Sequence, residues 1–169
     1  MYVFVRIKLI TAVFASYAAA ASAQEFKTFS LRENLASAKA FQEVIATSST
    51  IPLRKPYSLM NETETAAVRS LYIDMGHSDE PPFPKNGLEP LVRLLHQAQS
   101  KLLVAGDLYL IADVNAEGDV SAVTAYGSPS PEMTKFAASA LVLEKFKPAL
   151  CKSVPCSQKF PFALKFAVN

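Results

Sequence analysis

Apolar positions along this chain recur with two periods, and the switches between them mark its elements. Leu31, Leu35, Ala38, Phe41 and Ile45 fall at helical spacing behind Ser30-Leu31-Arg32-Glu33, which has the form of a capping box. The Ser hydroxyl and the Glu carboxylate of such a box each satisfy a free amide of the first turn. This predicts an amphipathic helix that ends near Thr47, where Thr47-Ser48-Ser49-Thr50 and then Pro52 and Pro56 oppose continuation. Residues 56–65 read as loop. Arg69-Ser70-Leu71-Tyr72-Ile73-Asp74-Met75 alternates, which predicts a half-buried strand with Leu71, Ile73 and Met75 on one face and Gly76 at its end. His77, Asp79 and Glu80 follow in a polar turn.

The second half is more sharply patterned. Leu91, Leu94, Leu95, Ala98 and Leu102 predict a second amphipathic helix, with Pro90 suited to its first turn and Gly106 to its end. Leu108, Leu110, Ala112 and Val114 alternate with Tyr109, Ile111 and Asp113, Asn115-Ala116-Glu117-Gly118-Asp119 turns, and Val120–Tyr126 resumes extended character. The result is a β-hairpin with Gly118 at the position that needs positive φ. Gly127 closes it, and Ser130-Pro131-Glu132 opens a third helix with Ser as cap, Pro at the first position and an acid in the first turn. Met133, Phe136, Ala137, Ala140 and Leu141 form its buried stripe, and it frays near Glu144. Phe160, Phe162, Leu164, Phe166 and Val168 then hold every second position, which describes a strand with one greasy and one mild face.

The first residues change the picture of where this domain works. Arg6 and Lys8 precede an uninterrupted, weakly apolar run from Leu9 to Ala21, and Ala21-Ser22-Ala23 has the small-residue form of a cleavage site. The run is too short and too rich in Ala and Ser for the roughly 20 apolar residues of a bilayer helix. Residues 1–23 therefore read as a cleavable secretory signal, with a mature start at Gln24 and the product free in the bacterial periplasm; the alternative is a retained membrane anchor. Cleavage removes two of the 17 basic residues and none of the 15 acidic ones, leaving 15 against 15. A neutral domain offers no broad basic field for nucleic acid or anionic lipid, so neither partner is expected, nor is stable membrane insertion after cleavage.

Export also bears on Cys151 and Cys156, which sit five apart in an oxidising space and predict a local disulfide. A redox pair would more usually have C-x-x-C spacing, and no histidine or further cysteine lies nearby to complete a zinc shell. His77 with Asp79 and Glu80 lacks a third ligand at recognisable spacing, and His96 on the second helix stands alone, so no catalytic residue, metal or cofactor is assigned. The proline group Pro81, Pro82 and Pro84 is the best candidate boundary, between an N-terminal helix-strand segment (24–80) and a C-terminal domain (81–169).

The wording of that C-terminal half resembles the C-terminal domain of the TonB family of energy transducers. The carriers are Pro82-Phe83-Pro84, Gly106-Asp107-Leu108-Tyr109-Leu110, Asp113-Val114-Asn115-Ala116-Glu117-Gly118-Asp119-Val120 and Phe146-Lys147-Pro148-Ala149. The resemblance implies an α+β fold, a small antiparallel sheet with helices on one face, here with an added N-terminal helix and strand. It also implies that an exposed edge accepts an extended peptide from an outer-membrane receptor or another envelope protein by strand addition, with backbone bonds for affinity and side-chain pockets for choice. Phe160, Phe162, Leu164, Phe166 and Val168 mark the implied docking strand, and the same edge would let two copies pair. An energy transducer also has a retained membrane helix and a long Pro-rich span, whereas here a cleaved signal is expected and no such span is seen. A non-enzymatic periplasmic binding or adaptor module is therefore the leading expectation, and a membrane-anchored transduction component the alternative.

Overall fold

The computed structural model describes residues 30–33, 51–73 and 75–167. At its centre is the predicted hairpin. β3 (Gly106–Val114) and β4 (Val120–Gly127) pair antiparallel around Asn115, whose side-chain oxygen accepts from the amides of Glu117 (3.1 Å) and Asp119 (2.8 Å). Gly118 adopts φ +84° in that turn, a conformation that costs a residue with a Cβ but not glycine. β8 (Gln158–Phe166) pairs antiparallel with β3 along its full length, from Gly106↔Phe166 to Val114↔Gln158. The fourth member, β1 (Ser30–Glu33), runs parallel to β4, so the order is β1, β4, β3, β8.

Two helices cover one face of this sheet. α2 (Glu89–Leu102) packs on β8, and α3 (Pro131–Leu143) packs on β4 and β3 and against α2. Leu91, Leu95 and Ala98 from α2 and Met133, Ala137 and Leu141 from α3 meet Leu108, Leu110 and Ala112 of β3, all in one buried cluster with Phe160, Phe162 and Phe166. At roughly 1.5–3 kcal/mol for each fully buried large apolar side chain, this layer is the main source of stability. Tyr109 and Ile111 face the other way and are buried too, as expected for the central strand. The fold is α+β, and its main sheet is mixed rather than purely antiparallel because of β1.

Caps account for the helix limits. Ser130 Oγ accepts from Met133 N at 3.1 Å and Pro131 occupies the first position of α3. α2 has no side-chain cap; instead the carbonyl of Leu53 accepts from the amides of Leu88 (2.7 Å) and Glu89 (2.8 Å). It stops at Leu103, left-handed at φ 52°, before Gly106, which opens β3.

Several expectations are corrected. Ser30–Glu33 is extended, so no helix starts at Ser30; the local capping pattern loses to the backbone partners that β4 offers and to the packing of Leu31 against the core. Residues 34–50, which carry the rest of that predicted helix, lie outside the described residues, as does the signal segment. The predicted loop at 56–65 contains a 3-10 turn at Tyr57–Leu59 and the start of α1 (Glu62–Arg69), launched by a capping box in which Asn61 and Glu64 bond each other's amides. No strand follows: Leu71 and Tyr72 lie in turns and Ile73 is 91% exposed. The alternation had no neighbouring strand to pair with, and the Arg69 guanidinium folds the chain back by donating to the carbonyls of Gly76 and Asp79. In α3 the buried arc includes Thr134 and Ala138 and leaves Phe136 38% exposed, because small residues let the helix lie close to the sheet on that side.

The proline group is built into the fold. Pro81, Pro82, Phe83 and Pro84 are buried, β2 (Phe83–Pro84) pairs with β5 (Phe146–Lys147), and Glu80 and Leu150 exchange backbone hydrogen bonds of 2.8 and 2.9 Å. Val68 and Phe83 join the same core cluster as the sheet, so residues 51–84 contribute to it.

Cys151 and Cys156 form a disulfide across a hairpin of β6 (Ala149–Cys151) and β7 (Val154–Cys156), with Lys152 and Ser153 both left-handed in the two-residue turn. Closing so short a loop contributes about 2 kcal/mol in the chain-entropy model. Replacing both cysteines by serine is therefore expected to lower the unfolding free energy by about that amount while leaving the far-ultraviolet circular dichroism unchanged.

Candidate functional site

The chemistry of the side chains narrows the choice. His77 is exposed in its turn, and His96 is exposed on α2 with its ring 6.0 Å from that of Phe166. Among the described residues no three His, Cys, Asp or Glu side chains come together as a metal site would require, and no helix is long and apolar enough to cross a membrane. Asp79 is engaged by backbone amides: its carboxylate accepts from Lys152 N (2.7 Å) and Gly76 N (3.0 Å). These two bonds hold it below the usual carboxylate range and tie the 76–79 turn to the disulfide hairpin.

A carboxyl depressed in the folded state stabilises the fold above its unfolded pKa, and that contribution is lost as pH falls through the lower folded value. Asp79→Asn is accordingly expected to be less stable than the parent near neutral pH. The gap should close as pH drops below about 4, and paired thermal melts across that range would check it.

A polar cluster gathers around Lys147 on β5. Lys147 Nζ sits 4.9 Å from the centroid of the Tyr57 ring and 2.9 Å from Glu80 Oε2, and it donates to the carbonyls of Pro81 and Pro148. Burial, with Glu80 adding to it and Arg69 opposing it, pushes the Tyr57 hydroxyl up. Burial pushes Tyr72 further up, and its hydroxyl has no hydrogen-bond partner among the described residues. Phenols shifted this way stay protonated at neutral pH and cannot serve as bases. The cluster clamps the turn onto β5.

What remains is the rim of the sheet. β8 is bonded to β3 on one side, and among the described residues no strand lies on the other. The side chains of Phe160, Phe162 and Phe166 are buried in the core and Leu164 packs against it, so they hold the strand in place; Val168 lies outside the described residues. Beside the stretch Phe160–Leu164 opens an apolar groove of about 170 Å³, walled by Ile51, Leu53, Leu71, Leu88 and Val92. Those wall residues were not legible as site residues: the loop at 51–53 arrives there because its carbonyl caps α2, and no local signal announces that bond.

No family model, curated protein or solved structure matches this chain.

The β8 edge also carries its own defences. Pro161 has no amide hydrogen to donate, and in an edge strand proline sits where the missing donor faces outward. By alternation, the backbone groups of Lys159, Ala163 and Lys165 share that outward side. Two lysines and a proline at an edge discourage indiscriminate pairing with other strands. Lys159 Nζ is held 2.7 Å from Asp113 Oδ1, across the strand pair. A second apolar patch lies at Leu94, Leu102 and Phe136, where α2 meets α3.

Proposed function

We propose that this chain is a non-enzymatic binding module of the bacterial envelope that takes an extended peptide segment of another envelope protein, such as an outer-membrane receptor, by strand addition along β8. One observation carries the reading: the margin of the sheet at β8 coincides with an apolar groove able to receive a ligand side chain. The groove supplies affinity that the interrupted ladder at Pro161 lacks, and Lys165 favours an acidic residue at the ligand's end. The reading draws on the likeness to TonB C-terminal domains that the wording of residues 81–169 suggests; over residues 89–166 the elements run helix, hairpin, helix, three short strands and β8. Export is supported by the secretory form of residues 1–23 and by the Cys151–Cys156 disulfide, which persists in oxidising compartments.

The test is capture from envelope extract by the mature protein and by Ala163→Pro, which removes a second outward donor without touching the core. A partner retained by the parent and reduced at least tenfold by the variant, with melting temperature little changed, is the expected result. Equal retention by both, or none by either, sinks the proposal.

A further inference from the structure

Cys151 and Cys156 cross-link a hairpin that stands apart from the main sheet, since β6 and β7, three residues each, form a two-stranded sheet of their own. In its register Cys151 faces Val154 and Cys156 faces Ala149. The bond therefore crosses the ladder diagonally, and the ladder alone does not set the two sulfurs opposite each other. The turn between the strands is Lys152-Ser153, with φ of 51° and 67°. Two-residue turns with both centres at positive φ favour Asn-Gly, because a Cβ crowds the backbone there. Lys152 and Ser153 both carry that cost, so the covalent bond closes a turn that its own residues oppose.

Exposure and connection add to this. Cys151, Lys152 and Ser153 are exposed and Cys156 is half-buried, so a reagent in water reaches Cys151 first. Strained or exposed disulfides are the labile ones, and a bond that persists in an oxidising compartment still exchanges with a dithiol that forms a more stable one. The hairpin also holds the segment before the proline group. Lys152 N donates to Asp79 Oδ1 at 2.7 Å, Gly76 N donates to the same carboxylate, and Glu80 and Leu150 exchange backbone bonds. The first of these bonds requires the Lys152 amide where the closed turn places it.

We propose that Cys151–Cys156 is a site of thiol–disulfide exchange with a dithiol, and that its reduction frees the turn at 76–80. A thiolate of the dithiol attacks Cys151 Sγ, the S–S bond breaks, and Cys156 Sγ leaves as a thiolate that takes up a proton. The second thiolate of the dithiol then displaces Cys151 Sγ from the mixed disulfide. Two protein thiols and one oxidised dithiol result, with two electrons and two protons passed to the protein. Once the cross-link is gone, Lys152 and Ser153 leave the left-handed region, the Lys152 amide leaves Asp79, and the Glu80–Leu150 bridge loosens. The core is spared, because none of residues 76–80 or 150–156 belongs to the buried cluster. None of them lines the groove beside β8 either, so failure of the β8 reading leaves the proposal standing.

The test compares the mature protein with Ser153→Gly, which relieves the turn at one position and keeps both cysteines and the charge. Each is equilibrated with graded ratios of reduced to oxidised dithiothreitol, and free thiols are counted by the mass added by a maleimide. The variant is expected to need a ratio at least about fivefold higher than the parent for half reduction. In the reduced parent the amides of Gly76, Glu80, Leu150 and Lys152 should exchange with solvent at least about tenfold faster than in the oxidised parent, with those of β3 unchanged. Equal midpoints, or a variant reduced more easily than the parent, would show that the turn does not weaken the bond and would overturn the proposal. So would a parent that stays oxidised at the highest ratio, exchange at 76–80 that reduction leaves unchanged, or exchange that speeds up throughout β3.

Discussion

Gly118→Ala is expected to lower the unfolding free energy by about 3–5 kcal/mol, among the largest effects available to a single methyl group in this chain. Two costs combine. The first is conformational: φ of +84° sits in the left-handed region, where a Cβ costs about 1–2 kcal/mol. The second is steric, because an added Cβ would lie 2.1 Å from the carbonyl oxygen of Phe146, a backbone atom that cannot swing aside. That carbonyl is fixed in turn, since Phe146 N donates to Gly118 O at 3.0 Å and its ring is fully buried. Relief therefore requires pulling the hairpin turn away from β5. Gly106→Ala supplies the control: its φ is +130°, but the nearest atom to an added Cβ is Pro129 Cβ at 3.5 Å, an ordinary contact. Chemical denaturation of both variants should place Gly118→Ala at least about 2 kcal/mol below Gly106→Ala. Equal losses would show that backbone strain alone acts and that the Phe146 contact is not as tight as described.

Phe146→Ala is the second large effect, expected at about 3–5 kcal/mol. The ring is wholly buried and meets Phe160 edge-on at 5.0 Å, and Phe160 meets Phe83 in the same way at 6.2 Å. Truncation removes the middle of a layer that joins β2, β5 and β8, and its neighbours are themselves too large and too fixed to collapse into the space. Phe136→Ala, on the outward side of α3, should cost less than about 1 kcal/mol because its ring is already partly in water. A loss below about 1 kcal/mol for Phe146→Ala would show that the aromatic layer is looser than its geometry indicates.

The β8 margin shows how much of the candidate site could be read in advance. The alternation of Phe160, Phe162, Leu164 and Phe166 correctly marked a strand with one apolar side. Whether such a strand lies at the centre or the margin of a sheet is a question of topology, and alternation is the same in both places. The outward role of Pro161 and the groove wall at Ile51 and Leu53 could be recognised only once β8 had a neighbour on one side and the loop capping α2 on the other. Asn61 and Glu64 show a different kind of miss: their spacing is that of a capping box, a signal present in the sequence beneath a proline that suggested loop.

From residue 89 onward, local rules marked the two helices, the central hairpin and the last strand. Pro90 and Pro131 at helix starts, Gly118 at a left-handed turn and strict alternation in β3 and β8 each agree with the tertiary arrangement, so short-range and long-range preferences point the same way. Before residue 80 they do not. Ser30–Glu33 satisfies a helix start as well as it satisfies a strand, and Arg69–Met75 alternates without a partner. In both segments the outcome was decided by which backbone groups elsewhere were left to bond: β4 had an open edge for the first, and the Gly76 and Asp79 carbonyls held Arg69 in the second. Sequence determined the elements whose bonds close within themselves, and tertiary structure decided those whose hydrogen-bond partners lie far along the chain, because no local pattern specifies a distant donor or acceptor.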